Sequence, residues 1–234
     1  MEIKISDKRE SENNREYVYR VLRDNIMTLK LLPGTTINEG ELAESFHMSR
    51  TPVHEAVLML KEEFLVDVYP QSGSKISYIQ IDTMKEGHFL RSVIEPEIIR
   101  GLAGNLSLEA MAELRENLEK QKLALEKVEE RIDGFFKLDD SFHQLIYQLA
   151  GKTKTWFAVK RVSTHYDRVR YVDAIMNHTE LGNIYKEHKK IFDILLLGMT
   201  PDFQLKTFYD SHLGTYRKGF QELLEKYPEY FNLQ

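Results

Sequence analysis

Four residues in the second half of the chain have the types and spacing of a metal site: Asp139, His143, His188 and His212. Asp139 and His143 are four apart in a stretch of helical periodicity, so they share a face about one turn apart. His188 falls on the apolar stripe Ile184, Ile191, Phe192 and Leu195, and His212 on the stripe Leu205, Phe208 and Tyr216. Three imidazoles and one carboxylate on three inward faces could converge on a divalent cation. The chain has no cysteine, so the set suits Zn, Ni, Mn or Fe(II) and not copper(I) or a cluster. It would leave coordination positions for water or an anion. Hydrogen-bonded core histidines, or an ion with a purely structural role, would give the same pattern. His47, His88, His165 and His178 have no comparable partner pattern.

A second constellation lies near the front. Glu41 to Ser45 reads as a short helix with Leu42, Ala43 and Phe46 on one face. After a tight turn a second helix carries Val53, Ala56, Val57 and Leu60 on its apolar side. That helix opens on Ser49, Arg50, Thr51 and Pro52. Ser or Thr can cap free N–H groups, and proline is tolerated in a first turn, where its missing N–H has no partner. Arg50, Thr51 and His54 then project from an exposed helix N-terminus, where a helix-turn-helix protein meets base edges and phosphates. A guanidinium can take guanine O6 and N7 together or clamp a phosphate. The backbone N–H of Thr51 favours a phosphate.

These residues need elements to hold them. A helix is expected over about 12–31, with Val18, Leu22, Ile26 and Leu29 on one side and Pro33-Gly34 ending it. Beyond Phe64, the short runs 65–69 and 75–81 read as strands joined by the turn Pro70-Gln71-Ser72-Gly73-Ser74. Gly73 at the tip would let backbone approach a sugar-phosphate chain closely. Three helices and a hairpin make a winged helix-turn-helix over residues 1–78. From residue 79 to 234 the expectation is an all-helical bundle of about six helices: 82–104, 107–130, 133–150, 153–176, 181–198 and 202–226. Asp82 and Ser107 are plausible N-caps, and Gly104, Gly134, Gly151 and Gly198 lie near helix ends. The fold class is mainly α.

Composition constrains the partners. The chain of 234 residues is 42% hydrophobic and 29% charged, with net charge −5. Residues 1–78 hold 10 Lys and Arg against 13 Asp and Glu. Overall basicity therefore does not argue for DNA. Binding must rest on a local patch placed where phosphates lie. There is no apolar signal core and no run of transmembrane length, so a cytoplasmic protein without a membrane partner is expected.

Leu32-Pro33-Gly34, Glu41-Leu42-Ala43, and Ser49-Arg50-Thr51-Pro52-Val53 with Glu55-Ala56 resemble the N-terminal domain of GntR-family transcriptional regulators. That resemblance implies a homodimer placing two recognition helices on a palindromic double-stranded operator. The sequence departs from the family pattern at His54 and Gly40, where arginine is frequent. Arg91 with Glu95, Asp139-x-x-Phe-His143, Glu187-His188 and His212-Leu213 resemble the FCD ligand-binding domain of the FadR subfamily. There the matching Asp and three His commonly hold a divalent metal that helps bind a small carboxylate effector. The resemblance places Arg91 near the effector, and Arg168 and Arg170 are further candidates, because guanidinium pairs bidentately with carboxylates. The reading is an effector-controlled transcription regulator, with repression relieved by the metabolite as the commoner logic. A metal-dependent enzyme acting on a small organic acid is the alternative. It leaves the reader unexplained, and no Glu or further His stands out as a general base.

Overall fold

The first helix begins where the sequence supplies its caps. Asn13 accepts from the Glu16 N–H, and Glu16 accepts from the Asn13 N–H, a reciprocal box that starts α1 (Asn14–Met27). The helix stops short of the expected residue 31. Leu29 turns to a φ of 56°, and the Leu31 N–H bonds back to Asn25. The computed structural model describes residues 3–69, 73–127, 131–176, 180–200 and 203–232. The expected turn residues Pro70, Gln71 and Ser72 lie outside them, as does His178.

The chain divides into two compact units. The first comprises residues 1–87, 161–172 and 221–234, and the second residues 88–160 and 173–220. In the first, α3 (Arg50–Glu62) packs against both α1 and α2 (Glu39–Ser45). Val18, Leu22, Ile26, Leu42, Val53 and Leu60 meet in one apolar core. Burial of each such side chain contributes about 1.5–3 kcal/mol. The sheet has three strands where two were expected. β1 (Thr36–Ile37) pairs antiparallel with β3 (Gly73–Ile76), which pairs antiparallel with β2 (Val66–Tyr69). Two residues are too few to leave a periodic signal in sequence.

The extra segments of this unit have visible reasons. β4 (Ile79–Gln80) pairs in parallel with β5 (Phe231–Asn232), tying the C-terminal segment to the reader. Three side chains near the start of α8 (Thr164–Met176) also bond to it: Thr164 to the Glu63 carbonyl, His165 to Phe64 and Gln80, and Arg168 to Ser77. The expected boundary at residue 78 misses both attachments, because the attached segments lie more than eighty residues further along the chain.

Helices of the second unit are α5 (Leu108–Glu126), α6 (Arg131–Leu149), α9 (Leu181–Leu197) and α10 (Leu205–Leu213), with most of α4 (Ile81–Leu102) and α7 (Thr153–Val162). α5 packs on α6 and α9. Ser107 caps α5 by accepting from Ala110, as expected. Asp82 instead lies inside the first turn of α4, and Gly134 inside α6. The expected helix 153–176 breaks at Ser163 into α7 and α8, and Ser163 sits against Gly87, where any Cβ would come within 2.7 Å of its Cα. The expected helix 202–226 becomes α10, a 3-10 turn over Thr215–Lys218 and α11 (Phe220–Lys226), with Gly214 and Gly219 at the breaks. No described helix is long and apolar enough to cross a membrane.

Candidate functional site

The four metal candidates come together. One buried face of α6 carries Phe135, Asp139, Phe142, His143, Ile146 and Tyr147. α9 supplies His188 between Ile184 and Ile191, and α10 supplies His212 between Tyr209 and Leu213, all buried. The ring centroids of His143, His188 and His212 lie 5.1–5.5 Å apart. One nitrogen from each lies within 4.8 Å of the others. The Nε2 atoms of His143 and His212 are 3.5 Å apart, and His188 Nε2 is 3.4 Å from Asp139 Oδ1. Phe142 stacks on His188 with centroids 4.6 Å apart.

What lies behind the rings is more telling. Each Nδ1 faces an oxygen acceptor: Glu95 Oε2 at 3.1 Å for His143, Gln121 Oε1 at 2.8 Å for His188, and Glu187 Oε2 at 2.8 Å for His212. With Nδ1 directed at these oxygens, the Nε2 atom of each ring faces inward. Metal-binding histidines are oriented in this way by partners behind them. The Nε2 atoms of His143 and His212, 3.5 Å apart, are placed to share one cation. Three imidazoles and one carboxylate, with no thiolate, are a donor set for a borderline divalent ion. Burial pushes the His212 pKa below its ordinary value. The Glu187 hydrogen bond opposes that shift, and His143 adds to it.

Arg91 is brought beside this centre through Glu95. Its Nε donates to Glu95 Oε1 at 2.6 Å, and both side chains are buried. Burial by itself would raise the Glu95 pKa. Arg91, and then His143, outweigh it and hold the carboxyl well below the usual carboxylate range. Arg91 thus orients His143 by way of Glu95.

Arg168 and Arg170, candidates for the effector from sequence, belong to the first unit and have other partners. Arg168 is fully buried and donates to the Ser77 carbonyl at 3.0 Å. Burial lowers its pKa to about 10, with the Asp67 charge opposing. Arg170 lies 5.6 Å over the Tyr166 ring and 3.8 Å from Asp167. Beside them, His165 Nδ1 accepts from the Gln80 N–H at 3.0 Å while its Nε2–H donates to the Phe64 carbonyl at 2.8 Å. The two bonds fix one neutral tautomer. Burial pushes the His165 pKa down to about 3; the Arg168 charge adds to this and the Phe64 bond opposes it.

At the reader, Ser49, Arg50, Thr51 and His54 are all exposed at the start of α3. Ser49 sits at the N-cap, but its hydroxyl makes no capping bond. His54 Nδ1 is 3.1 Å from both carboxylate oxygens of Glu39 on α2. The Arg50 guanidinium lies over Gly40, where a Cβ would meet its terminal nitrogen at 3.2 Å. The absence of a side chain at Gly40 therefore makes room for Arg50. Gly73, with φ of 87°, is exposed and has open space where a Cβ would stand.

Sequence reasoning missed Gln121, and it gave Glu95 and Glu187 no role of their own. Glu187 adjoins His188 in sequence yet serves His212, a pairing only the packing of α9 against α10 creates. Gln121 sits on the buried face of α5 with Leu114 and Leu118. A polar residue on an apolar stripe was the one available signal.

Comparison with known proteins agrees with this division of labour. Residues 14–76 match the family described as bacterial regulatory proteins, gntR family, and residues 86–199 match the FCD domain. The chain is 34% identical over 181 residues to the HTH-type transcriptional repressor RspR of Escherichia coli, covering 77% of this chain and 78% of that protein. It is 33% identical over 218 residues to an uncharacterized HTH-type transcriptional regulator in an unstable DNA locus of Streptomyces ambofaciens, covering 93% and 89%. Among solved structures, E. coli McbR/YncC shares the fold with a TM-score of 0.71 at 22% identity, covering 92% of this chain and 99% of that one.

Proposed function

We propose, for a chain that belongs to the GntR family of bacterial regulatory proteins, a repressor whose grip on DNA is set by a small carboxylate bound at a metal in its FCD domain. The chain is a transcriptional regulator and not an enzyme. Arg50, Thr51 and His54 meet base edges and phosphates, Ser49 and the Gly73 wing add backbone contacts, and two protomers address a palindromic operator in the cytoplasm. Asp139, His143, His188 and His212 hold a divalent ion, whose Lewis acidity and open positions take the carboxylate. Arg91 serves the site through Glu95. Arg168 and Arg170 support the reader's base instead of the effector.

The observation that carries this reading is the Nδ1 backing of all three histidines by Glu95, Gln121 and Glu187, which turns three Nε2 atoms toward one point. For the dimer, α4 leaves Phe89 and Val93 exposed. A groove of about 670 Å³ lined by Val93, Ile94, Ile98, Leu102 and Leu149 adjoins them. This apolar face suits a second copy. The effector acts only if it binds the DNA-competent and DNA-incompetent states with different strength. Helix α8 offers a covalent route for that difference, since its residues to Val172 count with the reader and those from Asp173 with the second unit.

The test is metal analysis of protein purified without a metal column, followed by operator binding measured by fluorescence anisotropy. About one ion per chain is expected in the parent and none in the pair His143→Ala and His188→Ala. Metal content unchanged in that pair, or a parent without metal, refutes the site. Unchanged operator affinity in Arg50→Ala refutes the reading helix.

A further inference from the structure

A second polar group of side chains stands one helical turn from the histidines. On α6, Tyr147 follows His143 by four residues, and on α10, Tyr209 precedes His212 by three, so each shares its helix face with a candidate ligand. The Tyr209 and His212 rings are 5.8 Å apart. Both tyrosines are fully buried, and neither hydroxyl has a hydrogen-bond partner among the described residues. Buried hydroxyls are normally paired, so two unpaired ones call for an explanation. The charges of Glu95 and Arg91 act on both phenols. Glu95 and Arg91 are themselves ion-paired at 2.6 Å, so their charges largely cancel there.

We propose that Tyr147 and Tyr209 form the far end of the effector site and read a neutral oxygen group, hydroxyl or carbonyl, on a monocarboxylate whose carboxylate sits at the histidine centre. The proposal rests on the metal and carboxylate reading above. One helical turn is about 5.4 Å, a span that three methylenes cover. A phenol O–H donates to a carbonyl or hydroxyl oxygen without bringing net charge into a dry site. The Arg91–Glu95 pair carries no net charge as a unit, so it offers a second carboxylate no net counter-charge, and a dicarboxylate is the poorer fit.

Calorimetry on the full chain reconstituted with Zn²⁺ tests this with three probes: butyrate, γ-hydroxybutyrate and succinate. In the parent, γ-hydroxybutyrate should bind roughly tenfold more tightly than either of the others, the scale of one well-made hydrogen bond. Tyr147→Phe combined with Tyr209→Phe removes two oxygen atoms and keeps both rings. It should abolish that preference while leaving butyrate affinity, zinc content and thermal midpoint unchanged. A preference that survives in the double variant overturns the proposal, as does a parent that binds butyrate or succinate as tightly as γ-hydroxybutyrate. A zinc-loaded parent that binds no acid at all refutes the carboxylate reading itself and this assignment with it. The two failures are thereby distinguishable.

Discussion

Replacing His165 by glutamine removes a proton-binding site from the base of the reader while keeping one donor and one acceptor near the Phe64 carbonyl and the Gln80 N–H. In the folded protein His165 is fully buried, and its pKa falls from 6.5 to about 3. The unfolded chain therefore takes up this proton first as pH drops. The stability His165 contributes is therefore complete above pH 6.5 and is lost as pH falls toward 3. With one pKa unit worth about 1.4 kcal/mol, the loss between pH 7 and pH 5 is on the order of 2 kcal/mol. At pH 7 the glutamine should cost about 1–3 kcal/mol, because its amide cannot reproduce both imidazole bonds. At pH 5 the cost should shrink by on the order of 2 kcal/mol, since the variant has nothing to protonate there. Urea denaturation followed by far-UV circular dichroism at both pH values, parent against variant, isolates this difference from every other titrating group. Hydrogen exchange at the Gln80 amide locates it. A parent–variant gap that stays constant from pH 7 to pH 5 would show that burial does not hold His165 neutral.

Other substitutions probe the remaining links. Gln121→Ala removes the acceptor behind His188 Nδ1 and should weaken metal binding about 10–100-fold by competition titration, with helix content unchanged. Gly87→Ala drives a methyl to 2.7 Å from the Ser163 Cα and should lower stability by about 1–3 kcal/mol in a urea melt; an unaltered midpoint would deny the close approach. Arg50→Ala should weaken binding to an operator selected from random DNA by about 1–3 kcal/mol and relax the base preference at one position. Gly40→Arg, which restores the residue common in the family, should displace the Arg50 guanidinium and shift that preference without unfolding the reader.

The parts of the fold that sequence revealed are those governed by short-range periodicity. Val18, Leu22 and Ile26 of α1, and Val53, Val57 and Leu60 of α3, are spaced at three and four residues and are all buried. The helix breaks were harder. Ser163 carries no strong stop signal, and at the break it lies against the backbone of α4 at Gly87, a contact between residues 76 positions apart. β1 and β5 were invisible for a related reason: two-residue strands are defined by their partners, Lys75 and Ser74 for one and Ile79 and Gln80 for the other. The metal candidates were legible because each histidine interrupts an apolar stripe. Their supporting acceptors were not, because nothing in spacing ties Gln121 to His188 or Glu187 to His212.

The arginines show where residue type stops being informative. Arg91 and Arg168 are both fully buried, and from sequence both were candidates for a carboxylate ligand. A buried guanidinium must be compensated, and the protein does so differently in the two places. Arg91 meets a full carboxylate on its own helix, Glu95, whose other oxygen faces His143; its charge is thereby committed to orienting a ligand imidazole. Arg168 meets a backbone carbonyl at Ser77, with Asp67 contributing through its field, and its pKa drops while that of Asp67 rises from burial. The first arrangement can pass a change at the histidine centre to α4. The second fastens α8 to the sheet of the reader. Removing the guanidinium should therefore act on metal affinity at residue 91 and on the stability of the DNA-reading unit at residue 168, even though the same side chain is lost.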